Sequence, residues 1–228
     1  MFYFDPTYII LVPAMIIAAY AQMKVNSTFA KFSEVQSING YSGSQTARRL
    51  LDSAGLYDVP VELVNGRLTD HYDPRSRVLR LSRDVFYGTS VASLGVASHE
   101  VGHAIQHKES YSPLRIRNSL VPVVNFSSNF AWIIFFIGIF MANSLLADIG
   151  IILFSGAVVF QLITLPVEYN ASTRALRMLK SSGTLYDDEL KKAEKVLDAA
   201  ALTYLAAAFM AVSQIIRLIA IKDRSSND

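Results

Sequence analysis

A chain of 228 residues that is 52% hydrophobic and only 18% charged, with a formal charge of +2 and no cysteine, is more apolar than an ordinary soluble domain. Without cysteine, disulfides and thiolate chemistry are excluded, so any metal site has to be built from histidine and carboxylate. Basic and acidic residues are intermixed with no polybasic arm, which argues against a nucleic-acid partner.

The apolar residues gather in four blocks nearly free of charge, at 7–23, 130–147, 149–167 and 199–216, each close to the ~20 residues of a spanning helix. No basic segment precedes the first block and no small-x-small cleavage site follows it, so 1–23 is expected to be a retained transmembrane anchor. Lys24–Gln36 then carries Val25, Phe29, Phe32 and Val35 at amphipathic-helix spacing. Ser44–Ala54 forms a short helix, preceded by a capping serine and stopped by Gly55. Short β-type runs follow at Val59–Val64, Arg67–His71 and Val78–Leu81, separated by the Asn65-Gly66 and Asp73-Pro74-Arg75-Ser76 turns, which predicts a small β-meander. A helix begins after Gly88-Thr89-Ser90 and runs to about His107, with Pro113 closing the region.

Two further apolar blocks, around Trp132–Ala147 and Ile149–Val167, are joined by too few polar residues for anything but a tight hairpin, with Asp148 at its tip. Residues 168–198 are polar and helical, divided by Gly183-Thr184. The expectation is a mainly α-helical integral membrane protein with about four transmembrane helices and a small α+β domain. Its parts are the anchor (1–23), a catalytic region (24–118), a transmembrane hairpin (119–167), a helical segment (168–198) and a C-terminal transmembrane helix with its tail (199–228).

The sharpest signal is His99-Glu100-Val101-Gly102-His103, an H-E-x-x-H inside a predicted helix. Residues four apart share a helical face about 6 Å apart along the axis, so two imidazoles can converge on one Zn²⁺ while Glu100 stands beside it as proton acceptor. Catalytic zinc takes three protein ligands and keeps a fourth position open. His107 extends the series but lies about 12 Å from His99 along the axis and rotated away, so it is expected near the site or on the surface. Glu168, the first polar residue after an apolar run, is the better third ligand.

Two crossings by the hairpin return the chain to the side it left, so the helix and Glu168 share a compartment. The segments 24–129 and 168–198 hold most of the Lys and Arg, and the positive-inside rule places the site in the cytoplasm, at the bilayer surface.

The stretches Leu68-Thr69-Asp70-His71-Tyr72-Asp73-Pro74, Arg80-Leu81-Ser82, Ser98–Gln106 and Leu165-Pro166-Val167-Glu168-Tyr169-Asn170-Ala171-Ser172, with the opening Asp5-Pro6-Thr7-Tyr8, together resemble the YugP-like family of bacterial membrane zinc metallopeptidases. The resemblance covers nearly the whole chain. It implies a zincin-like domain and a gluzincin-type site, with His99, His103 and Glu168 as ligands of one catalytic Zn²⁺ and Glu100 as base. Other membrane gluzincins tend to carry an aspartate four residues after the ligand glutamate, where this chain has Ser172, and Asn170 is then the candidate to orient a ligand histidine.

The expected reaction is hydrolysis of peptide bonds in membrane or membrane-proximal proteins, with zinc polarising the carbonyl and activating water and Glu100 moving the proton. His71, flanked by Asp70 and Asp73, is a candidate transition-state stabiliser alongside Tyr72 and Tyr169. Strand Val78–Leu81 could pair with an extended substrate. The rival readings are a zinc-stabilised membrane scaffold and an intramembrane protease of the site-2 type. No suitable Asp lies within an apolar block to serve the second.

Overall fold

The computed structural model describes residues 5–227. After a 3-10 turn at Pro6–Ile10 come α1 (Val12–Ser33), α2 (Gly43–Ser53), β1 (Val61–Val64), β2 (His71–Asp73), β3 (Val78–Ser82), the short α3 (Arg83–Phe86), α4 (Val91–Lys108), α5 (Ser112–Phe140), α6 (Ser144–Ser181) and α7 (Asp187–Asn227). The chain divides into two units, one of residues 23–114 with 166–201 and one of residues 1–22, 115–165 and 202–228.

In the first unit, α2 begins with a reciprocal cap in which Gln45 N donates to Ser42 Oγ and Ser42 N to Gln45 Oε1, satisfying N–H groups that a helix start leaves open. The α2 residues Ala47, Leu50 and Leu51 pack into a core with Leu79 and Leu81 of β3 and Leu94, Ala97 and Val101 of α4. The three strands do not form the expected meander. β3 is central, paired parallel with β1 (Val61↔Leu79 to Val64↔Ser82) and antiparallel with β2 (His71↔Arg80 to Asp73↔Val78). The expected strand Arg67–His71 is largely loop, because Gly66 and Leu68 both take positive φ (108° and 55°), which a pleated strand does not allow. With β1 and β3 parallel, the chain crosses over between them and β2 becomes the far edge.

In the second unit the hairpin turns at Met141–Asn143, earlier than expected. Asn143 Oδ1 accepts from Leu146 N and starts α6 there, so Asp148 lies inside the helix, paired with Lys222. The arms touch through glycine: a Cβ on Gly138 would fall 2.4 Å from Ala147 N, and one on Gly150 2.7 Å from Phe135 Cβ.

Among the described residues, three helices are long and apolar enough to cross a membrane, the segments Ser112–Phe140, Ser144–Ser181 and Asp187–Ser225. The expectation of four is therefore corrected. The apolar block 7–23 is split between the 3-10 turn and α1, and α1 continues past it through Lys24 and Lys31, so α1 is not among the helices apolar enough over a membrane's length.

Candidate active site

Ser90 caps α4 by accepting from Ser93 N. The helix is rich in small residues, and Ala92, Ser93, Gly95, Ala97, Ser98, Gly102 and Ala104 are all buried, so other elements approach its backbone closely. At Gly102 an added Cβ would stand 2.7 Å from the carbonyl oxygen of Ala171 in α6. This crossing has a direct consequence for the ligands. Ala171 is three residues after Glu168, about one helical turn, and the contact carries the Glu168 carboxylate over the face that bears His99 and His103.

Glu168 Oε2 lies 3.2 Å from His99 Nε2 and 3.4 Å from His103 Nε2. The imidazole rings stand edge to face with centroids 4.8 Å apart, and one ligand atom from each of the three residues falls within 4.8 Å of the others. Ligands at zinc's ~2.0–2.2 Å bond lengths lie about 3.3–3.5 Å apart along the edges of a tetrahedron. The donor set and these separations fit a zinc ion. A cation held between this carboxylate oxygen and the two imidazole nitrogens would be stabilised by all three.

The remaining ring nitrogens are held from behind. His99 Nδ1 is 3.1 Å from Ser172 Oγ, and His103 Nδ1 is 3.0 Å from Gln106 Oε1. Ser172, which stands where related sites tend to carry aspartate, thus meets a ligand histidine directly. Asn170 acts one step removed, through Gln106 Nε2, which donates to Asn170 Oδ1 (2.9 Å).

Glu100 is buried, 8% exposed, and accepts the main-chain N–H of Tyr72 at 2.9 Å. Burial pushes its carboxyl up to about 7; the charge of His99 pulls the other way, while Glu168 and Asp70 add to the rise. A bound cation would draw it back down.

His71 is exposed at the start of β2, its Nδ1 2.8 Å from Thr69 O, and it is not in the converging group. Its flanking carboxylates are turned elsewhere. Asp70 accepts from Ser82 N and Oγ, and burial raises its pKa. Asp73 accepts from Arg75 N and Ser76 Oγ, and these bonds hold it down at about 2. His107 also lies outside the group, with Nδ1 2.9 Å from the Tyr72 hydroxyl. Tyr169 is 53% exposed. The expectation that Val78–Leu81 would pair with a substrate is corrected, since β3 has a partner on each side and the strands with an open edge are β1 and β2. The contacts of Gln106 were not apparent in the sequence; their signal was a lone amide three residues after His103.

The fold and the cluster together describe a mainly helical protein with three membrane-length apolar helices and a two-histidine, one-carboxylate group that could hold a metal ion. Residues 7–223 match a family model described as "Putative neutral zinc metallopeptidase", and the chain belongs to that family. It is 52% identical over 210 residues, 92% of this chain and 93% of the other, to "Putative membrane protease YugP" of Bacillus subtilis (strain 168). No solved structure matches the chain.

Proposed function

We propose that the protein is a multi-pass, membrane-bound zinc metalloendopeptidase in which His99, His103 and Glu168 hold one zinc ion and Glu100 is the general base. The observation that carries this reading is the meeting of Glu168 Oε2 with both histidine Nε2 atoms, at 3.2 and 3.4 Å, beside the buried carboxyl of Glu100. Zinc in such a site supplies a Lewis acid that polarises a scissile carbonyl and makes water nucleophilic at neutral pH.

The protein's own residues supply the proton path and the alignment. Glu100 takes the proton of the attacking water and returns it to the leaving amine. Tyr72 N–H holds the Glu100 carboxylate in place. Because that N–H points away from β3, the open edge of β2 runs beside the base, and an extended substrate added to this edge would lie against it. His71 is on the same edge. Thr69 O can only accept, so His71 Nδ1 carries a proton, and Nε2 can donate to an oxyanion only when the ring is doubly protonated. The Tyr72 hydroxyl beside His107 is the other donor.

The hairpin of two crossings and the Lys and Arg of 24–129 and 168–198 support a site facing the cytoplasm. Its substrates are then membrane or membrane-proximal proteins. A scaffold that used zinc only to fix its fold would have no use for a buried carboxyl next to the metal ligands.

The test is zinc content and peptide cleavage of detergent-purified wild type, Glu100→Gln and Glu168→Ala. Glu100→Gln is expected to keep its zinc and lose about 10²–10⁴-fold in cleavage rate. Glu168→Ala is expected to lose both zinc and cleavage. Full zinc content in Glu168→Ala would falsify the ligand set. Cleavage that survives Glu100→Gln would remove Glu100 as base.

A further inference from the structure

Gln106 is fully buried, at 0% exposure, one turn beyond His103 in α4, and the chemistry proposed above makes no direct use of it. A buried amide is tolerated only when its hydrogen-bonding atoms are satisfied. Gln106 Nε2 donates to the main-chain oxygen of Val167 at 2.8 Å and to Asn170 Oδ1 at 2.9 Å, and Oε1 lies 3.0 Å from His103 Nδ1. The oxygen and nitrogen of an amide are distinguished by their partners rather than by shape. Here a partner decides. The Val167 carbonyl can only accept, so the amide NH₂ must face it and Oε1 must face His103. Oε1 can also only accept, so His103 carries its proton on Nδ1 and keeps the lone pair of Nε2 for the atom in front of it.

The amide is braced in turn. Asn170 Oδ1 also receives Arg174 Nε at 2.7 Å, and Arg174 Nη2 pairs with Glu109 Oε2 at 2.7 Å. The line from Glu109 through Arg174, Asn170 and Gln106 to His103 passes from α4 to α6 and back. It touches α6 at Val167, the residue before Glu168. His99 has no such arrangement, because Ser172 Oγ can either donate or accept and leaves that ring's tautomer open.

We propose that Gln106 is the positioning residue of the metal centre: it fixes His103 in the Nδ1-protonated form and ties α4 to α6 at the residue preceding Glu168, with Asn170 and Arg174 holding it in place. This rests on the zinc site proposed above. Partners of this kind set the orientation and basicity of a ligand histidine, and losing one typically costs about 10–100-fold in metal affinity.

The experiment measures Zn²⁺ affinity of the chelator-stripped, detergent-purified full chain by competition with a fluorescent chelator, alongside the visible absorption of its Co²⁺ form and its metal-free melting curve. Gln106→Met keeps the volume and removes every hydrogen bond; about 10–100-fold weaker zinc binding and an altered Co²⁺ spectrum are expected. Asn170→Leu should weaken zinc in the same direction by less, since Val167 O still holds the amide. Asn170→Asp keeps the acceptor and should stay near wild type. A purely structural role would lower the melting temperature of the metal-free protein while its folded fraction bound zinc normally, and that result overturns the proposal. Should Gln106→Met not fold, equal affinities of Asn170→Leu and Asn170→Asp overturn it instead. A wild type that fails to bind zinc overturns the metal site and this inference together, whereas a wild type and Gln106→Met that bind equally tightly overturn the inference alone.

Discussion

Two polar clusters lie within largely helical surroundings, and they are built on opposite principles. Around Arg217 of α7 the charge is closed on itself. The guanidinium pairs with Asp5 Oδ2 at 3.1 Å, its Nε donates to Thr7 Oγ1 at 3.2 Å, and it stacks 3.8 Å from the Tyr8 ring centroid. Around Glu168 the protein turns one oxygen and two nitrogens toward a common point, with protein partners on the far side of both imidazoles. The first cluster supplies its own cation, whereas the second is arranged so that it could hold one from outside. A charge set that neutralises itself serves the fold, and one that converges on an open point is suited to hold an ion.

The sharpest way to break the second cluster without touching a ligand is Gly102→Val. Its side chain would enter the space of the Ala171 carbonyl, 2.7 Å from the ideal Cβ, and main chain on both sides cannot yield easily. The helices are expected to separate, with loss of stoichiometric zinc and an overpacking cost of about 1–3 kcal/mol or more. Normal zinc content in this variant would show that the close crossing does not place Glu168.

The next effect comes from pH in the chelated protein. With its folded pKa raised to about 7 from 4.5, Glu100 contributes stability fully below pH 4.5, and this is lost as pH rises toward and through 7. The full loss is about 3 kcal/mol. Melting curves of metal-free wild type should therefore fall relative to Glu100→Gln between those pH values, and added zinc should narrow the gap. A constant difference across the range would mean that Glu100 is not desolvated in the folded state.

The smallest effect belongs to the closed cluster. Arg217→Met should cost about 1–3 kcal/mol through the loss of charge-assisted hydrogen bonds, seen as a lower melting temperature in detergent, with Zn²⁺ affinity unchanged. A change in zinc affinity as large as that expected of Gln106→Met would erase the contrast between the two clusters.

Much of the site's chemistry was legible because it is local. The i, i+4 placement of His99 and His103 follows from helical periodicity alone, as do the Ser90 cap and the break at Gly183, where φ is +64°. Cysteine-free composition limited the ligands to histidine and carboxylate, and the long apolar runs of α5, α6 and α7 announced a membrane protein.

What periodicity could not decide was anything set by a partner distant in the chain. The order β1-β3-β2 depends on a crossover made possible by positive φ at Gly66 and Leu68, which left β3 enclosed and β2 at the edge. The apolar block 7–23 had the composition of a span, yet where α1 begins removed it from the count. The tautomer of His103 is settled 61 residues away from Gln106, at the Val167 carbonyl. Helix periodicity is a property of neighbours along the chain, so the sequence by itself determined which residues face one another within an element. Which atom of Glu168 meets the two histidines, and what holds each ring behind it, was decided by the packing of α4 against α6 at Gly102, because only a close approach of two backbones brings a carboxylate from one helix within bonding reach of the other.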